Sequence, residues 1–194
     1  MSDSQQAWES RYRDGRTGWD RGDVSPALNH WFQTAHPPTG RVLVPGCGHG
    51  HEVADLVRSG SQVTAVDIAA QPILHLTGQL AALGLHARVV QADLLRWQPA
   101  EPFDAIYEQT CLCALAPSQW SGYEQRLASW LNPGGCLFAL FMQTGQSGGP
   151  PYDCPVADMR ELFSVDRWDW LDDTVLRVDH PTGLHERGFI LLRR

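Results

Sequence analysis

Arg41-Val42-Leu43-Val44-Pro45-Gly46-Cys47-Gly48-His49-Gly50 is the stretch of sequence that decides the fold. Its first four residues, an arginine followed by three apolar residues, predict a buried strand. Three glycines at alternate positions follow, and residues 51–57 then show a helical pattern. A strand, a glycine turn and a helix in this order present a nucleotide at the carboxyl edge of an α/β sheet. Glycine is required there because a side chain would keep the ligand away from the backbone.

The remainder of the chain alternates between strand and helix patterns. Parallel pairing is expected where helical patterns separate the strands, so the sequence predicts a doubly wound, mostly parallel, seven-stranded α/β sheet. The last two strands flank the turn-rich residues 179–183 and are expected to form an antiparallel hairpin at one edge. No second-domain boundary is visible, so residues 1–194 are predicted to form a single domain. The predicted strands are 41–44, 62–67, 87–90, 103–107, 136–142, 166–171 and 186–192, and the predicted helices are 1–14, 51–58, 70–83, 117–131, 156–163 and one that begins at Ser25-Pro26.

Composition excludes several classes of function. The 194 residues carry a net charge of −7 and contain no lysine, which argues against a nucleic-acid scaffold. No apolar run approaches the ~20 residues of a membrane helix. The polar N-terminus is unlike a secretory signal, so a cytoplasmic monomer without membrane or nucleic-acid partners is expected. The five cysteines contain no C-x-x-C pair, which favours reduced thiols, and no metal site is predicted.

Two classes of cofactor could use the glycine turn. A dinucleotide site requires G-x-G-x-x-G, but His51 occupies the sixth position here. A G-x-G-x-G turn suits a mononucleoside cofactor such as S-adenosyl-L-methionine. Asp67, at the end of the second strand, can accept hydrogen bonds from both ribose hydroxyls, although an NAD site needs the same carboxylate. A tight turn at the glycines and a helix cap at Asp67 are the alternatives without a ligand.

Two further segments lie at the same edge of the predicted sheet. Asp93-Leu94 follows the third strand and suits the edge of an adenine ring, with a carboxylate that accepts and an amide that donates. With Gly46, Gly48 and Asp67 in register, this pair predicts an adenosylmethionine site. Residues 107–117 follow the fourth strand, at the switch point of the sheet, where side chains can contact both cofactor and acceptor.

Several motifs together resemble the thiopurine S-methyltransferase family, and within it the thiol and halide methyltransferase branch. The resemblance covers nearly the whole chain and implies a Rossmann-like class I methyltransferase fold. Many other methyltransferases carry an acidic residue two positions before the first glycine. This sequence has Val44 there, which is typical of the thiopurine S-methyltransferase family. The matching segments are Trp8-Glu9, 17–22, 42–50, 66–68, 103–107, 113–115, 132–135 and 148–152.

The resemblance assigns roles to individual residues. Trp8, Tyr12 and Trp19 match N-terminal aromatic cofactor contacts, and residues 1–36 are expected to form a lid over the site. Gly46 and Asp67 match the methionine and ribose contacts, and Asp93-Leu94 matches the adenine pair. Gln109, which stands where thiopurine enzymes carry arginine and the other branch carries tyrosine, is also expected to contact the cofactor, as is Gly48 in the glycine turn.

The implied reaction transfers a methyl group from S-adenosylmethionine to a small soft nucleophile by in-line displacement. The acceptor would be a thiol, a thiopurine-like sulfur, or a halide or similar anion, and Cys113, Pro151 and Tyr152 are expected to contact it. A thiolate or halide needs no general base. For a neutral thiol, Glu108, Asp20 or Tyr152 could help to take the proton, and no single catalytic residue is predicted. A nicotinamide-dependent oxidoreductase and a non-catalytic adenosylmethionine-binding module are the alternatives.

Overall fold

Seven strands and six α-helices occur among the described residues, in an order close to the predicted one. The computed structural model describes residues 2–180 and 183–194, with the backbone alone for residues 172–174. The strands are β1 Arg41–Pro45, β2 Gln62–Asp67, β3 Arg88–Gln91, β4 Phe103–Gln109, β5 Leu131–Gln143, β6 Trp168–Asp179 and β7 His185–Arg193. The helices are α1 Asp3–Arg13, α2 Pro26–Trp31, α3 His51–Arg58, α4 Ala70–Ala82, α5 Trp120–Trp130 and α6 Val156–Leu162, with 3₁₀ turns at Leu112–Ala114 and Pro117–Gln119.

All seven strands belong to one sheet, in the order β3-β2-β1-β4-β5-β7-β6. The first five strands are parallel to one another, whereas β7 runs antiparallel to both β5 and β6. The prediction of a doubly wound, mostly parallel sheet with an antiparallel edge is therefore confirmed. The strand order reverses between β1 and β4, so ligands are expected beyond the carboxyl ends of these two strands.

Strand β1 is buried because it supplies side chains to both faces of the sheet. Leu43 packs in one apolar core with α5 and α6, whereas Val42 and Val44 pack in the other with α2, α3 and α4. Successive side chains of a strand point to opposite faces of the sheet. Because helices cover both faces here, the side chains on both are apolar, which explains the uninterrupted apolar sequence. Among the described residues, no helix is long and apolar enough to cross a membrane.

Two strands are longer than predicted because of long-range pairing. The turn predicted at residues 132–135 lies inside β5, since Leu131 pairs with Phe103 and the register shifts before Ala105 pairs with Cys136. Strand β6 continues past the predicted end at residue 171, with a register shift between Leu171 and Leu176. At each of these two register shifts, one strand contains extra residues that have no partner in the neighbouring strand. Within the predicted turn at 179–183, Pro181 and Thr182 lie outside the described residues.

Candidate functional site

The three glycines of the turn after β1 have left-handed backbones, with φ of 58° at Gly46, 52° at Gly48 and 69° at Gly50. A Cβ atom on Gly46 would lie 2.7 Å from the Sγ atom of Cys111, and one on Gly50 would lie 2.7 Å from a methyl group of Leu76. Gly50 therefore lets α3 and α4 approach closely, a role that dinucleotide sites give to the third glycine of their motif. Both conformation and space exclude a side chain from this turn.

Asp67 is held at the end of β2 by backbone hydrogen bonds. Its Oδ2 atom accepts from the N–H of Gly48 at 2.9 Å, and its Oδ1 atom accepts from the N–H of Ala69 at 2.9 Å. Burial raises the pKa of the carboxyl group, and these N–H groups oppose that effect. Each oxygen retains capacity for a further donor, so the carboxylate is oriented and can still bind ribose hydroxyls.

A cavity of about 400 Å³, called here the larger cavity, opens beyond the carboxyl ends of β1 and β2. Seven of the nine predicted cofactor contacts line it: Trp8, Tyr12, Trp19, Gly46, Asp67, Asp93 and Leu94. A cavity of this size suits a small cofactor. Thr110, Cys111, Ala114 and Leu115 also line it, within residues 107–117 that were expected to contact cofactor and acceptor, whereas reasoning from the sequence missed Ile68 and Leu95. The only sequence feature that could have identified Ile68 and Leu95 is that each directly follows a residue predicted to contact the cofactor.

Three aromatic side chains from the N-terminal segment contact one another at the larger cavity. The ring of Trp19 meets those of Trp8 and Tyr12 edge-on, with centroid distances of 5.4 and 5.6 Å. Glu9 fixes helix α1 to the sheet, because its Oε1 atom accepts from the N–H of Ala70 at the start of α4. That contact caps a helix whose own N-cap residue, Ala69, has no side-chain acceptor.

Asp93 is oriented by a local turn after β3. Its Oδ1 atom accepts from the N–H of Leu95 at 2.9 Å. The neighbouring Leu94 is buried, and both residues of the predicted adenine pair line the larger cavity.

Gln109 and Gly48 lie on the other side of the glycine turn, in a cleft of about 60 Å³. The amide of Gln109 is occupied at both ends: Oε1 accepts from the hydroxyl of Tyr107 at 3.0 Å, and Nε2 donates to Oε2 of Glu186 at 3.0 Å. Burial raises the pKa of Glu186 to about 8. A cofactor contact of Gln109 or Gly48 therefore stays a prediction that the geometry does not favour.

A second cavity of about 220 Å³, called here the smaller cavity, adjoins the larger one. Trp8, Trp19, Thr110 and Ala114 line both, so the two cavities share a wall. Of the predicted acceptor contacts, Cys113 and Pro151 line the smaller cavity. Tyr152 is not among the lining residues; its N–H donates to the carbonyl of Cys113 at 2.7 Å, and its ring packs against Gly149.

Thr110 has an unusual backbone for its place in this shared wall. Its φ of 56° is the only positive value at a non-glycine among the residues that the structure describes. A β-branched residue in this conformation stores strain, and such residues cluster at binding sites. The position thus marks the junction of the two cavities as the centre of the site.

The charged groups at the smaller cavity are basic. Arg11 and Arg16 line it, together with the buried His180. Burial lowers the pKa of His180, so its neutral ring is positioned to donate from Nε2 to the carbonyl of Trp19, which lies 3.0 Å away. Burial also raises the pKa of Cys113, which keeps that thiol protonated and argues against a role as a nucleophile. All five cysteines are free thiols.

Comparisons with known proteins identify the family and the fold. A model of the thiopurine S-methyltransferase family matches residues 3–174. A probable thiol methyltransferase 2 from Arabidopsis thaliana is 33% identical over 93% of this chain and 82% of its own. A thiopurine S-methyltransferase from Pseudomonas putida is 28% identical over 96% of this chain and 95% of its own. The structure of 1,6-didemethyltoxoflavin-N1-methyltransferase from Burkholderia thailandensis, with bound S-adenosylhomocysteine, superposes with a TM-score of 0.79 at 24% identity and covers 97% of this chain and 86% of that one.

Proposed function

The chain belongs to the thiopurine S-methyltransferase family and is an S-adenosylmethionine-dependent methyltransferase, and we propose that it methylates a small soft nucleophile bound in the smaller cavity. The acceptor class is a thiol, a thiopurine-like sulfur or a soft inorganic anion. The observation that carries the proposal is the shared wall of the two cavities, which would place cofactor and acceptor side by side. The oxidoreductase alternative finds no support in the comparisons.

The residues at the larger cavity fit the cofactor. Asp67 would bind the ribose, Asp93-Leu94 would bind the adenine ring, and the backbone at Gly46, which lines the cavity, would lie against the methionine moiety. When bound, adenosylmethionine supplies a methyl group on a positively charged sulfonium. Trp8, Tyr12 and Trp19 would attract that cation with their ring faces and exclude water from the reacting centre.

The smaller cavity would orient the acceptor. Arg11 would attract an anion to its rim, whereas Arg16 is already paired with Asp14 at 2.9 Å; the charge of Arg11 supports a thiolate or another soft anion as the attacking species. Cys113 and Pro151 would supply an apolar wall that suits a polarisable sulfur. Among the described residues, no carboxylate lines this cavity. We therefore propose that alignment, and not proton abstraction by a carboxylate, accounts for the catalysis.

Residues 1–36 would serve as the lid of a single methyltransferase domain that comprises residues 1–194. The contacts of Trp8, Tyr12, Trp19 and Glu9 support this role. The cytoplasmic location, the monomeric state and the absence of a nucleic-acid partner stay predictions. Sedimentation analysis of the purified chain would test the oligomeric state.

Methyl transfer to a thiol is expected to accelerate as pH rises through the pKa of the acceptor, because the thiolate is the nucleophile. The measurement is a product-coupled assay with a panel of small thiols, thiopurines, thiocyanate and iodide. Transfer to at least one of these acceptors would support the proposal. Tight binding of S-adenosylhomocysteine without transfer to any of them would instead favour a non-catalytic binding module.

Replacing Trp19 by leucine should weaken adenosylmethionine binding more than S-adenosylhomocysteine binding. The methyl sulfonium is a cation and the product sulfur is neutral, so the lost cation–π contact, of about 0.5–2 kcal/mol, affects the first ligand alone. Calorimetric titration of both ligands measures the difference. Trp19→Phe keeps an aromatic face and should retain most of the discrimination, whereas equal losses for both ligands in Trp19→Leu would refute the cation contact.

A further inference from the structure

Three side chains that the cofactor and acceptor sites do not use converge beside the glycine turn. The carboxylate of Asp20 bridges the imidazoles of His49 and His51. Its Oδ1 atom lies 2.7 Å from Nε2 of His51, and its Oδ2 atom contacts Nδ1 of His49. One potential ligand atom from each of the three residues falls within 4.8 Å of the others. The side chains are 15–22% exposed, so they are shielded but reachable from solvent.

The backbone brings these residues together from two separate segments. His49 and His51 flank Gly50, whose left-handed φ of 69° turns the chain between them. Asp20 comes from the loop between α1 and α2, and its Oδ1 atom also accepts from the N–H of Gly22 at 2.8 Å. This hydrogen bond within the loop therefore helps to orient the carboxylate that contacts the two histidines.

We propose that Asp20, His49 and His51 form a binding site for Zn²⁺. Two imidazole nitrogens and one carboxylate oxygen are a donor set that zinc uses, with water in the fourth position of a tetrahedron. Mg²⁺ and Ca²⁺ prefer sites made wholly of oxygen, so two nitrogen donors argue against them.

The spacing of the ligand atoms is close to what the ion requires. Two metal bonds of about 2.0–2.1 Å at a tetrahedral angle place their ligand atoms roughly 3.3 Å apart. The contact of 2.7 Å between Asp20 and His51 would open by about 0.6 Å to reach that spacing. Rotation of the side chains can supply this change while the backbone keeps its position.

Zinc at this site would join the N-terminal segment to the glycine turn. Asp20 directly follows Trp19, which lines both cavities, and His49 directly follows Gly48, which donates to Asp67. The ion would thus hold the three aromatic side chains of the N-terminal segment in place at the larger cavity. Because it would bind the folded chain at ligands from two segments, its binding should stabilise the fold.

Calorimetric titration of the reduced, chelator-treated chain with ZnCl₂ tests the proposal. One equivalent is expected to bind, and Asp20→Asn, His49→Asn and His51→Gln should each weaken binding at least tenfold. His36→Gln and His86→Gln remove exposed histidines elsewhere and serve as matched controls. Zinc should also raise the Tm of the unsubstituted chain by several degrees and leave the Tm of Asp20→Asn unchanged. Neither readout depends on methyl transfer.

Two results would overturn the proposal. Absence of saturable binding would leave the cluster as a hydrogen-bonded contact between the two segments only. Binding that survives all three substitutions would assign the ion to other ligands, such as the nearby thiol of Cys47. Circular dichroism of each variant establishes that a loss of binding does not reflect unfolding.

Discussion

Asp67→Asn should weaken the binding of S-adenosylhomocysteine by about tenfold to 150-fold, or about 1.5–3 kcal/mol. The carboxylate is oriented by the N–H groups of Gly48 and Ala69, and its remaining lone pairs face the larger cavity. Asparagine has a similar shape but replaces one accepting oxygen by an N–H₂ group, which cannot accept a hydrogen bond from a ribose hydroxyl. Isothermal titration calorimetry gives the change in affinity.

Asp55→Asn is the matched control for this substitution. Asp55 lies on α3, pairs with Arg58 and does not line either cavity, so its loss should leave the affinity unchanged. Urea denaturation of both variants separates a loss of binding from a loss of stability. If Asp67→Asn bound the ligand as tightly as the unsubstituted chain, Asp67 would have no part in holding the ribose.

Gly46→Ala should lower the free energy of unfolding by about 2–5 kcal/mol. A left-handed backbone costs a residue with a Cβ atom about 1–2 kcal/mol. The new methyl group would also lie 2.7 Å from the Sγ atom of Cys111, and overpacking of this kind typically costs about 1–3 kcal/mol. Urea denaturation monitored by tryptophan fluorescence measures the loss.

Gly15→Ala separates the cost of the left-handed backbone from the cost of the close contact with Cys111. Gly15 has a similar φ of 64°, but no atom lies within 4 Å of the position its Cβ would occupy, so only the conformational cost applies. Adding Cys111→Ala to Gly46→Ala removes the contact with Sγ but leaves the Cβ atom of residue 111 at 2.9 Å. The second substitution should therefore recover only part of the packing cost, which a double-mutant cycle quantifies. A loss in Gly46→Ala no larger than that in Gly15→Ala would show that the close approach to Cys111 has no energetic consequence.

The parts of the fold that the sequence predicts well are those with local signals. The strand, turn and helix around Gly46 follow from an apolar run, three glycines and a helical period within 18 residues, and Asp67 and Asp93 follow from their positions at strand ends. The parallel pairing of the first five strands then follows from the alternation of strands and helices.

The parts that the sequence does not predict depend on contacts between distant residues. Gln109 turns away from the larger cavity because Glu186, on β7, accepts from its amide, and no pattern near Gln109 signals that partner. The turn at residues 132–135 is absorbed into β5 because Leu131 pairs with Phe103. The His49-x-His51 spacing is visible in the sequence, but Asp20 meets it only through the path of the irregular loop that carries it.

The position of β7 inside the sheet has a consequence for the order in which the chain folds. This strand comes last of the seven in sequence, yet it lies between β5 and β6, and Cys136 pairs with Leu192 across the whole intervening segment. During synthesis β5 therefore leaves the ribosome before β7, so one edge of β5 is unpaired and accessible to chaperones until β7 follows. The residues of the larger cavity, all within 2–119, emerge before this event, whereas His180 and Leu184 of the smaller cavity emerge with the final hairpin. The residues that line the larger cavity are thus all synthesised before the lining of the smaller cavity is complete.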